Sequence, residues 1–152
     1  EAYAARKRGV IFEASDARAH FSFEVSEPAI AQDFLPDIIA TDITQFSMNQ
    51  RPTSFNLAMQ LSKYTFLGID FYEDLRRCTE NPARVMGRLD SIGTLAPGSD
   101  ADVAILKPIE WENEFGDRPY YDPERQLRKG KLLYKPMMTI KNGKIVYRDM
   151  LF

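Results

Sequence analysis

Residues 87–106 read GRLDSIGTLAPGSDADVAIL, and the reading of this stretch decides the fold. Two short apolar runs, at 91–95 and 102–106, flank Ala96-Pro97-Gly98-Ser99, a cluster of residue types that set special backbone angles and mark a turn. The pattern predicts a strand on each side of that turn. Upstream of it, apolar runs and helical periodicities alternate; downstream, the signals are those of strands alone. The stretch is therefore a hinge between an α/β part and a β part.

Working upstream, Asn81-Pro82 places a capping residue before a proline in the first helical turn, predicting a short helix that Gly87 stops. Asp70 predicts the cap of a helix over 71–79. Thr53 or Ser54 caps a longer helix over 55–67 whose apolar residues cover two faces, the mark of a largely buried helix ended by Gly68. The run Ile38-Ile39-Ala40-Thr41 predicts a buried strand ending at Asp42, and Val10-Ile11-Phe12-Glu13-Ala14 predicts another. Between them, Ser26 with Pro28 in the first turn predicts a helix reaching about Phe34. The opening residues EAYAARKRG read as the end of a helix with Gly9 at its C-terminus, and a start at Glu1 without Met predicts the remainder of a longer polypeptide.

Working downstream, residues 107–127 carry charge, proline and aromatics. They read as a surface excursion pinned by Trp111, Phe115, Tyr120 and Tyr121. A strand is predicted at 132–135, and Asn142-Gly143 between 137–141 and 144–148 is the strongest hairpin signal in the chain.

Composition narrows the function classes. The 152 residues are 44% hydrophobic and 28% charged with a net charge of −2, values of an ordinary folded domain. The interspersed charges form no basic stripe, which argues against nucleic-acid and membrane-surface partners. The longest apolar runs are far too short to span a bilayer as a helix, and no signal peptide is visible. The single cysteine, Cys78, excludes an intrachain disulfide and fits a reducing, cytoplasmic compartment. It reads as a small packing residue rather than a nucleophile. His20 is the only histidine, and no His-x-His or Cys-x-x-Cys spacing exists, so the chain cannot build a metal site unaided. At Asp42 the local pattern favours a turn residue at a strand exit. The other reading is a metal ligand or general base where ligand-binding loops collect at the carboxyl ends of parallel strands.

Three sets of residues bring in a family. Gly93-Thr94-Leu95, Pro97-Gly98 and Ala101-Asp102, with Asn81-Pro82-Ala83 before them and the TIKNGKIVYRD hairpin after, resemble the end of an amidohydrolase-superfamily chain. Residues 8–23, RGVIFEASDARAHFSF, followed by PDIIATDI, are similar to its dihydroorotase-like and amidohydrolase/deacetylase branch. The resemblance implies an α/β fold: residues 1–87 as the last two strands and helices of a (β/α)8 TIM-type barrel. Residues 88–152 would be part of a β-sandwich with an irregular insertion at about 107–130. It implies that 10–13 and 38–41 are the seventh and eighth barrel strands.

By the same resemblance Asp42 is the eighth-strand aspartate. In the family it ligates a divalent metal, with zinc expected here, takes a proton from the metal-bound water and passes it to the leaving amine. The implied reaction is hydrolysis of a cyclic amide or N-acyl C–N bond in a small molecule. The loops depart from the branch: Asp16 stands where it has histidine, His20 where it has serine and Thr44 where it has histidine. These positions face substrate in the branch, so Asp16 and His20 are candidate substrate contacts. The remaining metal ligands would lie upstream, so the segment alone is expected to be inactive. Two strands cannot close a barrel, and the exposed edges imply the rest of the chain or a homo-oligomer as partner. A non-catalytic structural or interaction module, truncated or complementing another chain, is the competing reading.

Overall fold

Two parallel three-residue strands, β1 (Glu13–Ser15) and β2 (Ile38–Ala40), form the first sheet, with Glu13 opposite Ile38 and Ser15 opposite Ala40. The computed structural model describes residues 1–17, 20–45, 47–49, 56–116 and 127–152. Pairing starts later than the apolar run at 10–14 suggests. Val10 and Ile11 are half exposed, and the Phe12 carbonyl instead accepts the Asp37 and Ile38 amides at 2.8 and 3.1 Å. With a neighbour on one side alone, the ladder covers just the residues that β2 reaches.

Helix α1 (Ala2–Lys7) precedes β1 and Gly9 follows it with φ +94°, as the sequence suggests. Helix α2 runs Phe23–Ala31, earlier than the Pro28 signal indicates, so Pro28 is inside the helix. Phe23, 1% exposed, is the cause: burying that ring draws the first turn back to Ser22. Helix α3 (Leu57–Phe66) is capped by the Asn56 side chain, which accepts the Met59 amide at 2.9 Å; Thr53 and Ser54 lie outside the described residues. Helix α4 (Phe71–Cys78) is capped by Asp70 as expected. Helix α5 (Glu80–Val85) begins one residue before Asn81, whose side chain donates to the Asp37 carbonyl at 2.8 Å instead of capping.

The hinge stretch differs from its reading on one side. Residues 91–95 form no strand. The Arg88 carbonyl accepts the Ser91 and Ile92 amides at 3.0 and 2.9 Å, Ser91 accepts Asp100, and Gly93 adopts φ +80°. The backbone groups of Ser91 and the Ile92 amide are thus bonded within this turn rather than in a ladder. The second run does become a strand, but β3 extends over Val103–Gly116, well into the supposed excursion. It pairs antiparallel with β4 (Leu127–Lys141), and β4 pairs with β5 (Lys144–Arg148), in the order β3-β4-β5. Pro108 is accommodated because β3 is an edge strand, and Pro136 because a register shift follows Ile105. Asn142 and Gly143 close the β4–β5 hairpin with φ +50° and +72°, the pair of positive values a two-residue turn of this kind requires. Trp111 is exposed and Phe115 is buried; Tyr120 and Tyr121 lie outside the described residues.

The mixed α/β fold is closed by two apolar clusters. Phe21, Phe23, Ile39, Tyr64, Ile69 and Phe115 form one, joining α2, β2, α3 and the far end of β3. Ala58, Leu61 and Tyr134 form the other, where α3 meets β4. Helix α3 is therefore buried on two sides, as its sequence predicts, although Gln60, Ser62 and Lys63 are buried with it.

Candidate functional site

The two parallel strands deliver their following residues to one edge. Beyond the last ladder pair, the Ala17 amide donates to the Thr41 carbonyl at 2.8 Å, so residues 16–17 and 41–42 leave the sheet side by side. Asp42 turns there with φ +46°, a conformation aspartate tolerates better than most residues. Its half-exposed carboxylate meets the imidazole of His20, with Nδ1 at 3.0 Å from Oδ2. A carboxylate accepts hydrogen bonds, so Nδ1 is the donor in this contact, and in the neutral ring that tautomer leaves Nε2 as an acceptor directed elsewhere. Both groups are too exposed for the pair to add more than about 1 kcal/mol of stability; what it provides is orientation.

Asp16 occupies a different environment. It is 4% exposed, and its Oδ2 lies 2.8 Å from Nζ of Lys63, which is fully buried on α3. The same ammonium donates to the Gly116 carbonyl at 3.1 Å and sits 3.1 Å from the centroid of the Phe21 ring. The structure thus brings Asp42 and His20 together and engages the Asp16 carboxylate in a neighbouring buried pair. Thr44 stays within its own segment, its hydroxyl donating to Ser47 Oγ at 3.2 Å. An open cleft of about 280 Å³ adjoins His20, with Ser15, Phe21, Ser22 and Tyr64 among its walls. Burial, and then the negative charges of Asp16 and Asp74, push the Tyr64 phenol well above its ordinary value, so it stays protonated as a potential donor.

Lys63 is the residue that sequence reasoning missed. Its one signal is its place in α3, between Ser62 and Tyr64 on a helix read as buried, where a lysine demands a partner. As for a metal, the described residues contain no group of three His, Cys, Asp or Glu able to hold one. The Asp42 carboxylate, hard and half open to solvent, suits one position in a divalent ligand set that other residues would complete.

Comparison with known proteins gives the family of the chain. The model of the family described as Amidohydrolase family matches residues 58–147. A deacetylase of Agrobacterium fabrum is 34% identical over 109 residues, covering 72% of this chain and 26% of that protein. A deacetylase of Enterococcus faecalis is 31% identical over 105 residues, covering 69% and 28%. The chain thus spans about a quarter of the length of these relatives. Among solved structures, an adenine deaminase superposes with a TM-score of 0.85 at 29% identity, over 97% of this chain and 38% of that one. A dihydroorotase superposes with 0.79 at 29% identity, over 96% and 36%. The family match covers more than half of the chain, and with it the hinge stretch and the hairpin from which the sequence was read. The chain belongs to the amidohydrolase family.

Proposed function

We propose that this chain is part of a metal-dependent amidohydrolase that cleaves the C–N bond of a cyclic amide or an N-acyl group in a small molecule. The observation that carries the reading is Asp42: a half-exposed carboxylate at the exit of β2, hydrogen-bonded to an imidazole. In this reading residues 1–87 supply the last two strands and helices of a (β/α)8 barrel. Residues 88–152 belong to a β-sandwich, with about 107–130 inserted. Short parallel strands that deliver polar residues to one edge, followed by an antiparallel ribbon, support that division.

A divalent metal, zinc by expectation, would supply acidified water and polarise the scissile carbonyl. Asp42 would be one of its ligands, take the proton released as water attacks and deliver it to the leaving nitrogen. A carboxylate suits both tasks, since it is an acceptor that can be protonated and give the proton back. His20 holds Asp42 through Nδ1 and presents Nε2 as an acceptor for a substrate N–H. Asp16 acts from the buried side. Cytoplasmic residence and completion by the rest of the polypeptide, or by a second copy, belong to the same proposal.

The test is Asp42→Asn in the full polypeptide, assayed on a panel of cyclic and N-acyl amides with zinc added. Turnover is expected to fall by at least about 100-fold, the scale of losing a positioned general acid–base. Retained turnover would remove Asp42 from the reaction.

A further inference from the structure

Asp42 is aimed by backbone and side-chain contacts that begin elsewhere. Two neighbouring non-glycine residues, Ala17 and Asp42, both hold left-handed backbone, φ +34° and +46°. Such conformations persist where the surroundings over-determine them, and they collect at sites whose geometry matters. For Ala17, which has no side chain able to compensate, the determinants are visible. Its amide is bonded to the Thr41 carbonyl at 2.8 Å, and Asp16, immediately before it, is clamped by Lys63. The Asp16 carbonyl in turn accepts the His20 amide at 3.1 Å, and His20 Nδ1 reaches Asp42. An unbroken run of contacts therefore links a fully buried ammonium on α3 to an exposed carboxylate at the end of β2.

Among the described residues the ammonium is held by the Asp16 carboxylate, the Gly116 carbonyl and the Phe21 ring, with the Phe23 ring further off. A buried ion pair is a weak way to stabilise a core, because apolar groups of the same volume do as well or better. It is a strong way to fix one geometry, since neither charge can leave its partner without being stranded.

We propose that Lys63, acting through Asp16, is a positioning residue that sets the contact between His20 and Asp42. This rests on the reading of Asp42 as the functional carboxylate. Lys63 is not expected to touch substrate or metal.

The experiment reads the imidazole of His20 directly. In the full chain with ¹⁵N-labelled histidine, the His20 signals are assigned by their loss in His20→Gln, and spectra are compared at one fixed pH of about 8, where free histidine is neutral. The native chain is expected to carry the proton on Nδ1. In Asp42→Asn the ring should change to the form that imidazole prefers in water, with the proton on Nε2. Lys63→Met should show that same change, and so should Asp16→Asn/Lys63→Met, which removes both charges and leaves none stranded. On an amide substrate, kcat in the double variant should fall about 10- to 100-fold with KM little changed, as expected for misplacement of a reacting group.

A folded double variant with a native His20 spectrum overturns the proposal. A second measurement uses the native chain alone: the Ala17 and His20 amides should exchange hydrogen as slowly as the amides of α3. If they exchange far faster, the site moves independently of Lys63 and the proposal fails. Retained turnover in Asp42→Asn would sink the catalytic reading while leaving the spectral result standing.

Discussion

Asp74 on α4 is fully buried, with one carboxylate oxygen accepting from Thr65 Oγ1 at 3.3 Å and the other without a hydrogen-bond partner among the described residues. Burial pushes this carboxyl up to about 7; Thr65 and Arg77 pull it down, and Asp70 and Glu73 add to the rise. An unfolded aspartate titrates near 3.9, so between that value and about 7 the folded chain holds a proton that the unfolded chain has released. Stability therefore falls as pH rises through that window. The urea midpoint is expected to be higher at pH 5 than at pH 8, and Asp74→Asn should flatten the difference. The neighbouring Cys78 thiol is pushed up to about 12, by burial first and then by the Asp74 charge. Its alkylation by iodoacetamide at pH 8 should be at least about 100-fold slower in the native chain than in urea, because the thiolate is the reacting form. At this scale the sequence was legible where chemistry follows residue type. Cys78 read as packing, while the local pattern at Asp42 favoured the turn that its backbone makes and pointed to no chemistry by itself. Lys63 did not stand out, because what buries it is Asp16, 47 positions away along the chain, together with a carbonyl of β3.

Among the elements, the Asp70 cap, the stop at Gly68 and the Asn142-Gly143 hairpin were the most readable, since each acts within its own few residues, whereas the caps read at Ser26 and Asn81 were not used. Elements whose limits depend on distant partners were the least readable. Phe23 pulls α2 forward, and β3 and β4 run through prolines and charges because each finds its ladder in the other. Gly93 shows the same dependence at one position. A Cβ there would lie 2.7 Å from both the Ala83 Cβ and the Thr79 carbonyl oxygen, at φ +80°. The hinge can therefore pack against α5 only without a side chain. Gly93→Ala should cost roughly 2–4 kcal/mol, combining overpacking with left-handed strain, measured by chemical denaturation.

For the whole molecule, the mixed α/β class and the change from helices to strands were legible, although the strand read at 91–95 does not form, and the family match covers that stretch. The β5 edge of the three-stranded sheet has a consequence of its own. Every residue of β5 is exposed, with Ile145, Val146 and Tyr147 apolar, and Met150 and Leu151 follow uncovered. An apolar strand with an open edge is a template for pairing. Sedimentation of the chain by itself should show concentration-dependent association that Val146→Lys reduces. No helix among the described residues is long and apolar enough to cross a membrane.

Among the described residues, the long β3–β4 ribbon is fastened to the α/β layer near its middle and again at its far end. Ser62 Oγ accepts the Tyr134 amide at 2.9 Å, Lys63 binds the Gly116 carbonyl at 3.1 Å, and Arg128 Nε meets Glu27 Oε1 at 3.1 Å. Neither side can lose its structure without breaking bonds that the other needs. Heating should therefore give a single calorimetric transition whose van't Hoff and calorimetric enthalpies agree. On that expectation the change of architecture near residue 87 marks a turn in the chain's course, and two separate transitions would show it to be a seam.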